Sequence, residues 1–164
     1  MLQLMLMRHG QAESVFDAET DHSRALSEYG KTQTQHQAHL FPTKTGDRLL
    51  VSDAKRTVQT ATILTSTWAL ATRSRSPLMD SSSGAYLAES TTLMDLIRMT
   101  PPDVQRLWLV GHNPGIGDLI SVLTGEYVPM ATADIAQIQL TLQHWEDLDS
   151  GQGRLTGHHQ SLRP

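Results

Sequence analysis

Three short apolar runs in the sequence each lead into residues that could bind or attack a phosphoryl group. These residues are Arg-His-Gly at 8–10 after the run 2–7, Ser52 and Arg56 after the run 48–51, and Gly-His-Asn at 111–113 after the run 107–110. A neutral imidazole can act as a nucleophile, and a guanidinium group matches phosphate oxygens through paired hydrogen bonds. Two histidines and two arginines in one pocket would therefore suit a phosphoryl group.

The elements that would position these residues are strands of a parallel sheet. A short apolar run that stops at a turn is typical of an interior strand of such a sheet. In open α/β sheets, ligands bind beyond the carboxyl ends of the strands. If the three strands are parallel neighbours, His9, Arg56 and His112 meet at one edge of the sheet.

Helical and strand patterns alternate along the rest of the chain. Helices are predicted over 28–40, with Ser27 as N-cap, and over 54–70, 91–100 and 116–124. Weaker strands are predicted over 75–79 and 135–142 and at 154–155. Loops are predicted over 11–23 and 81–84. A strand followed by a helix, repeated in this way, is typical of a parallel sheet covered on both faces. The predicted fold class is therefore α/β, a three-layer α/β/α sandwich with a mostly parallel central sheet.

Composition and charge narrow the classes of function. With 164 residues the chain is long enough for one substantial core, so we predict a single domain over residues 1–164 with a flexible tail from about residue 157. A net charge of -4 shows no excess of positive charge of the kind that binds nucleic acid or an anionic membrane. The absence of cysteine excludes thiolate chemistry. Because no apolar stretch approaches the roughly 18 residues of a membrane span, a cytoplasmic protein is expected.

Five motifs, in this order, resemble the histidine phosphatase superfamily, which is also called phosphoglycerate mutase-like. They are MRHG at 7–10, RALSEYG at 24–30, VSDAKRTVQTA at 51–61, VGHNPG at 110–115 and PMATA at 129–133. Each motif alone has an ordinary explanation as a strand end, a helix cap or a turn. Together they are similar to the short phosphohistidine phosphatase branch of that superfamily, the SixA type.

The resemblance implies a catalytic role for four residues. His9 would attack phosphorus and form a phosphohistidine intermediate, while Arg8, Arg56 and His112 would surround the phosphoryl oxygens. The two arginines would also favour the neutral form of His9, since like charges disfavour a cation. No metal or other cofactor is implied, because cationic side chains would take its place.

Three further residues are expected to contact the substrate, and one is a candidate proton donor. Gly10 would let the backbone turn tightly beside His9. Ser52 is expected to cap the following helix and border the pocket, and Asn113 would lie beside the phosphate. Glu89 falls where many relatives carry a general acid, although an acidic residue that leads into the next helix is our preferred interpretation.

The substrate implied by the branch is a protein phosphohistidine, because the short chain leaves little room for insertions that enclose small metabolites. A small-molecule phosphomonoesterase and a low-turnover, phosphate-binding regulatory module remain alternatives. A metallohydrolase is a third alternative. His36 and His39 have a spacing that can bind zinc, but the sequence offers no third ligand.

Overall fold

The computed structural model describes residues 1–72 and 76–164. These residues contain four α-helices, six strands and three short 3₁₀ helices. The strands are β1 (Leu2–Arg8), β2 (Asp47–Ser52), β3 (Leu78–Ser82), β4 (Arg106–Gly111), β5 (Ile135–Leu140) and β6 (Gly153–His159). The helices are α1 (Glu28–Leu40), α2 (Lys55–Thr72), α3 (Ser90–Arg98) and α4 (Gly115–Thr124).

All six strands form one sheet in the order β3-β2-β4-β1-β5-β6. β1, β2, β3 and β4 are parallel, whereas β5 is antiparallel to both β1 and β6. Met5 and Met7 face a core shared with α1 and α2, while Leu4 and Leu6 face a core shared with α3 and α4. Because successive side chains of a strand point to opposite faces, this alternation places helices on both sides. The predicted three-layer α/β/α sandwich is confirmed.

The parallel strands bring the three predicted active-site segments to the same edge of the sheet. β4 lies between β1 and β2, with Arg8 opposite Gly111 and Val51 opposite Val110. The carboxyl ends of these three strands are therefore adjacent. The prediction that they are parallel neighbours is confirmed.

Strand β3 differs from its prediction over 75–79. It spans Leu78–Ser82, so it takes up part of the predicted loop over 81–84, and residue 75 lies outside the described residues. β3 is one of the two edge strands and, among the described strands, pairs only with β2, which leaves most of its side chains in solvent. An edge strand without a buried face has no apolar pattern by which the sequence could reveal it.

The C-terminal segment also differs from the prediction of a flexible tail. β6 continues through His159, which lies opposite Ile135 of β5, and Ser161 beyond it is buried. Backbone pairing and polar contacts, rather than an apolar stripe, hold this segment in place, so its composition resembles that of a tail. Among the described residues, no helix is both long and apolar enough to cross a membrane.

Candidate active site

His9, Arg56 and His112 lie together at the carboxyl edge of the sheet. His9 directly follows β1, Arg56 is in the first turn of α2, and His112 directly follows β4. Their exposed fractions are only 6%, 2% and 4%. The backbone N–H of His9 donates to the carbonyl of Gly111 at 3.1 Å and so continues the pairing of β1 with β4.

The Arg56 guanidinium is the centre of this cluster. Its Nε donates to His9 Nε2 at 3.2 Å, and its Nη2 donates to His112 Nδ1 at 3.3 Å. The centroids of the two imidazole rings are 5.1 Å apart. One edge of the guanidinium therefore faces both histidines. An oxyanion could approach this edge from the side on which the two imidazoles lie.

The hydrogen bonds of His9 define its tautomer. Nδ1 lies 2.7 Å from the carbonyl of Gly10, which can only accept, so Nδ1 carries the proton and Nε2 keeps its lone pair. Burial lowers the pKa of His9 to about 3, and the nearby charges of Arg56 and Arg8 act in the same direction, although the Gly10 hydrogen bond opposes them. His9 is therefore neutral at physiological pH, and Nε2 is the ring nitrogen that keeps a lone pair.

His112 has the opposite tautomer. Since Nδ1 accepts from Arg56, the proton is on Nε2, which donates to the Ser52 hydroxyl at 2.8 Å. Burial, followed by the charge of Arg56, lowers the pKa of His112 to about 4. Ser52 thus orients a ring of the site, and its hydroxyl also accepts the Ala54 backbone N–H at 3.4 Å.

Arg8 and Asn113 share one carbonyl acceptor beside the cluster. Arg8 Nη1 donates to the Met130 carbonyl at 3.1 Å, and Asn113 Nδ2 donates to the same oxygen at 2.7 Å. Burial lowers the pKa of Arg8, whereas the charge of Asp134 raises it. The loop that follows α4 therefore holds a second cation, Arg8, at this edge of the sheet beside Arg56.

A comparison with protein-family models assigns the chain to a known family. Residues 4–121 match the model described as the histidine phosphatase superfamily (branch 1). The chain belongs to the histidine phosphatase superfamily. Membership together with the SixA-like fold supports phosphatase activity. A comparison with curated protein sequences gives no significant match.

Among solved structures, three similar ones are SixA proteins. A proposed phosphohistidine phosphatase SixA from Nakamurella multipartitia has a TM-score of 0.85 at 21% identity, over 99% of this chain and 97% of that one. A protein histidine phosphatase SixA complexed with tungstate has a TM-score of 0.76 at 23% identity, over 96% of both chains. A proposed SixA from Agrobacterium tumefaciens has a TM-score of 0.71 at 26% identity, over 99% of both.

In this histidine phosphatase, close packing explains Gly10 better than a tight turn does. A Cβ at this position would lie 2.6 Å from the Gly30 carbonyl oxygen and 2.8 Å from the Thr34 hydroxyl, both in α1. The N–H of Gly10 donates to the Thr60 hydroxyl at 3.1 Å, and its φ is not positive. The glycine lets α1 approach the loop that carries His9.

Glu89 makes no hydrogen bond or ion pair with the cluster among the described residues. This residue is the exposed N-cap of α3, and within residues 1–72 and 76–164 its side chain makes no hydrogen bond or ion pair. Its carbonyl, and not its carboxylate, accepts the N–H of Leu93. The position agrees with an acidic residue that leads into a helix.

Sequence reasoning missed Asp21 and Tyr86, which contact Arg56 and each other. Asp21 Oδ2 accepts Arg56 Nη2 at 2.9 Å and the Tyr86 hydroxyl at 2.6 Å, and the Asp21 carbonyl accepts Arg56 Nη1 at 2.6 Å. The Tyr86 hydrogen bond, then those of Arg56, lower the pKa of Asp21, and the same bond raises the pKa of Tyr86. Asp21 lies in a polar loop with three other acidic residues, so no local pattern distinguishes it.

His22 is a further residue at this edge for which the sequence offers no partner. Its Nε2 lies 2.8 Å from Asp53 Oδ1, and its ring packs against Tyr86 with 4.9 Å between centroids. The Tyr86 ring in turn lies 5.4 Å from that of His112.

Within the described part of the chain, no group of three side chains could hold a metal ion. His39, which the sequence paired with His36 as a possible zinc ligand, has its Nδ1 bonded to the Gln35 carbonyl.

Proposed function

We propose that this protein is a metal-independent phosphatase that hydrolyses phosphohistidine on proteins through a phosphorylated His9 intermediate. The observation that carries the proposal is the neutral, buried His9 with its Nε2 lone pair 3.2 Å from Arg56 Nε. Few structural roles require a nucleophilic nitrogen to face a guanidinium in a buried site. Both groups would instead bind the same phosphoryl group.

In the first step, His9 takes the phosphoryl group from the substrate. Phosphoryl oxygens replace the hydrogen bonds that Arg56 makes to the two imidazoles, with Arg8 as a further donor. His9 Nε2 then forms a bond to phosphorus, and the bond from phosphorus to the substrate nitrogen breaks with its electron pair staying on that nitrogen. The other nitrogen of the substrate ring carries a proton, so the leaving group is neutral imidazole. The ring of His9 becomes positive, and its Nδ1–H bond to the Gly10 carbonyl stabilises this charge.

In the second step, water regenerates the enzyme. The water oxygen forms a bond to phosphorus, and the bond to His9 Nε2 breaks with its electron pair staying on Nε2. Both water protons end on the phosphate product, which leaves as dihydrogen phosphate and can release one of them to solvent. Arg8, Arg56 and His112 stabilise the charge that develops on the oxygens in both steps, which is where phosphoryl-transfer enzymes obtain most of their acceleration. Imidazole is a better leaving group than an alkoxide, so the first step proceeds without Glu89.

Exposed apolar side chains on the loops of the site support a protein substrate. Phe16, Leu87 and Tyr127 are 94%, 52% and 83% exposed. Each lies within five residues of a residue that contacts the cluster, namely Asp21, Tyr86 or Met130. A protein that presents its phosphohistidine from an apolar surface would cover these side chains.

The first test compares wild type with His9→Ala on a phosphohistidine-containing protein, p-nitrophenyl phosphate and a sugar phosphate. We expect His9→Ala to lose at least about 10³-fold in kcat/KM, because it removes the nucleophile. His36→Ala is the matched control, since His36 is an exposed histidine of α1, and it should retain full activity. Near-normal activity of His9→Ala would refute the proposal.

The same panel separates the alternatives. Higher kcat/KM on sugar phosphate than on phosphohistidine protein would favour a small-molecule phosphomonoesterase. Phosphate binding without any labelled His9 after brief exposure to a phosphodonor would favour a regulatory module. Activity that disappears with chelator would favour a metallohydrolase. If Glu89→Gln hydrolyses an alkyl phosphate more slowly than wild type, Glu89 has the role of general acid.

A second test concerns the protein substrate. Phe16→Ala should raise KM for the phosphohistidine protein about fivefold, since it removes apolar contact area, and leave KM for p-nitrophenyl phosphate unchanged. Leu70→Ala is the control, because Leu70 is 83% exposed on α2. Equal KM values for both variants on the protein would remove Phe16 from the docking surface.

A further inference from the structure

The segment after β6 closes over a buried carboxylate next to the candidate site. The Asp134 side chain is completely buried, and its oxygens accept Arg163 Nη1 and Nη2 at 2.9 Å each. The Ser161 N–H donates to Asp134 Oδ1 at 2.8 Å. Burial alone would raise the pKa of Asp134, but these hydrogen bonds outweigh it and lower the pKa, so the group is a carboxylate.

Asp134 is connected to Arg8 in two ways. Through the backbone, the Arg8 N–H donates to the Asp134 carbonyl at 3.2 Å. Through its side chain, Asp134 Oδ2 accepts the Ala131 N–H at 2.9 Å, which fixes the loop whose Met130 carbonyl accepts Arg8 Nη1. The negative charge of Asp134 also acts on the Arg8 guanidinium, whose pKa it raises.

The same segment is tied to the loop that carries His9. Ser161 Oγ donates to the Thr132 carbonyl at 2.6 Å. Gln33 of α1 donates to the Leu162 carbonyl at 3.0 Å, and its Oε1 accepts the Gln11 N–H at 3.0 Å. Residues 161–163 therefore contact the supports of both Arg8 and His9.

We propose that Arg163, through its ion pair with Asp134, is a positioning residue that keeps Arg8 oriented toward the phosphate. This inference rests on the proposed role of Arg8 as a phosphate ligand. A carboxylate buried without a paired cation is strongly unfavourable. Without Arg163, the Arg8 guanidinium is a cation that already acts on the Asp134 carboxylate. The imidazole of His158 is also close, with its Nε2 3.4 Å from Asp134 Oδ2. Arg8 would then turn toward Asp134 and away from the substrate.

The experiment measures the affinity for inorganic phosphate by titration calorimetry, together with kcat and KM for p-nitrophenyl phosphate. Arg163→Met should weaken phosphate binding about tenfold, which corresponds to one charge-assisted hydrogen bond. Arg163→Lys keeps the charge without the paired geometry and should lose less. Arg154→Met is the matched control, because Arg154 is also exposed near the C-terminus but donates to the neutral Gln139 amide at 2.7 Å.

A double variant separates positioning from simple loosening of the segment. Asp134→Asn combined with Arg163→Met removes both charges, so Arg8 is no longer attracted and phosphate affinity should return to within about threefold of wild type. A thermal melt of each variant shows whether the melting temperatures fall in the same order as the phosphate affinities. A merely structural role would lower the melting temperature in both variants and leave the double variant as weak as the single one.

Three results overturn the inference. They are unchanged phosphate affinity in Arg163→Met, an equal loss in Arg154→Met, and a double variant that binds phosphate no better than Arg163→Met. Failure of the proposed function is distinguishable, because it would show in the wild type itself as no turnover of the phosphohistidine protein or no phosphate binding. Failure of the assumed role of Arg8 would show as an Arg8→Ala variant that binds phosphate as tightly as wild type.

Discussion

Arg56 carries a full charge at 2% exposure because almost every N–H of its guanidinium has an acceptor. His9, His112, and the carbonyl and carboxylate of Asp21 accept from it at 2.6 to 3.3 Å. Of these acceptors, the two imidazoles face the proposed substrate position, whereas Asp21 holds the opposite edge. The phosphate can therefore replace the imidazoles as acceptors while Asp21 keeps Arg56 in place.

Substitution of Asp21 tests this orientation of Arg56. Asp21→Ala should reduce kcat/KM about tenfold, because Arg56 loses a charged acceptor that fixes its donors. Steady-state kinetics with p-nitrophenyl phosphate would measure the loss. Asp17→Ala is the control, since Asp17 lies exposed in the same loop and its carboxylate has no ion-pair partner within residues 1–72 and 76–164. Equal rates for the two variants would show that Asp21 does not orient Arg56.

At the scale of elements, the first turn of α1 fixes the loop that follows β1. The Ser27 hydroxyl caps α1 by accepting the Gly30 N–H at 3.0 Å, as the sequence predicts. Gly30 then packs directly on the backbone of Gln11, where a Cβ would lie 2.0 Å from the Gln11 carbonyl oxygen. The helix and the His9 loop are therefore in backbone contact, and two glycines, Gly10 and Gly30, make that contact possible.

Alanine at two helical glycines, one inside this contact and one outside it, should have opposite effects on the free energy of unfolding. Gly30→Ala should lower the free energy of unfolding by about 3 kcal/mol, because neither backbone can yield without separating α1 from the loop. Gly117→Ala in α4 should raise it by about 0.5 kcal/mol, because the nearest atom to the new Cβ is 3.9 Å away and alanine loses less entropy in a helix. Urea unfolding measures both. A Gly30→Ala variant as stable as wild type would contradict the packing argument.

At the scale of the whole molecule, the three-layer fold determines the charge state of the site. His9 and His112 are neutral mainly because the sheet edge and its loops bury them, with Arg56 and Arg8 as additional causes. The unfolded chain has neither effect, so its histidines take up protons near pH 6.5. The folded and unfolded states therefore differ in bound protons between about pH 6.5 and about pH 3.

This difference predicts that acid destabilises the protein before its carboxylates titrate. With native pKa values of about 3 and about 4, the two histidines contribute stability in full above pH 6.5 and lose it as the pH falls toward those values. The urea midpoint should therefore decrease from pH 7.5 to pH 5. The double variant His9→Gln and His112→Gln, which cannot titrate at these positions, should show a smaller decrease. An equal decrease in both proteins would contradict this origin.

The fold class and the meeting of His9, Arg56 and His112 at one sheet edge were predictable because their signals are local. Short apolar runs that end at Arg8, Ser52 and Gly111 mark buried strands, and the motifs around them resemble one superfamily. β3 and β6 were harder to predict, since an edge strand needs no buried stripe. Asp21, Tyr86 and Arg163 could not be predicted as site residues, because nothing near them in sequence shows which side chains they meet.

The sequence by itself determined the class of fold and the group of residues that meets at one sheet edge. Residue types and turn signals at the ends of buried strands are sufficient for that inference, since parallel strands end together. Only the tertiary structure decided the tautomers of His9 and His112, the acceptors that orient Arg56, and the ordered segment that pairs Arg163 with Asp134. These depend on distances of about 3 Å between residues far apart in the chain, and such distances follow from packing rather than from spacing along the sequence.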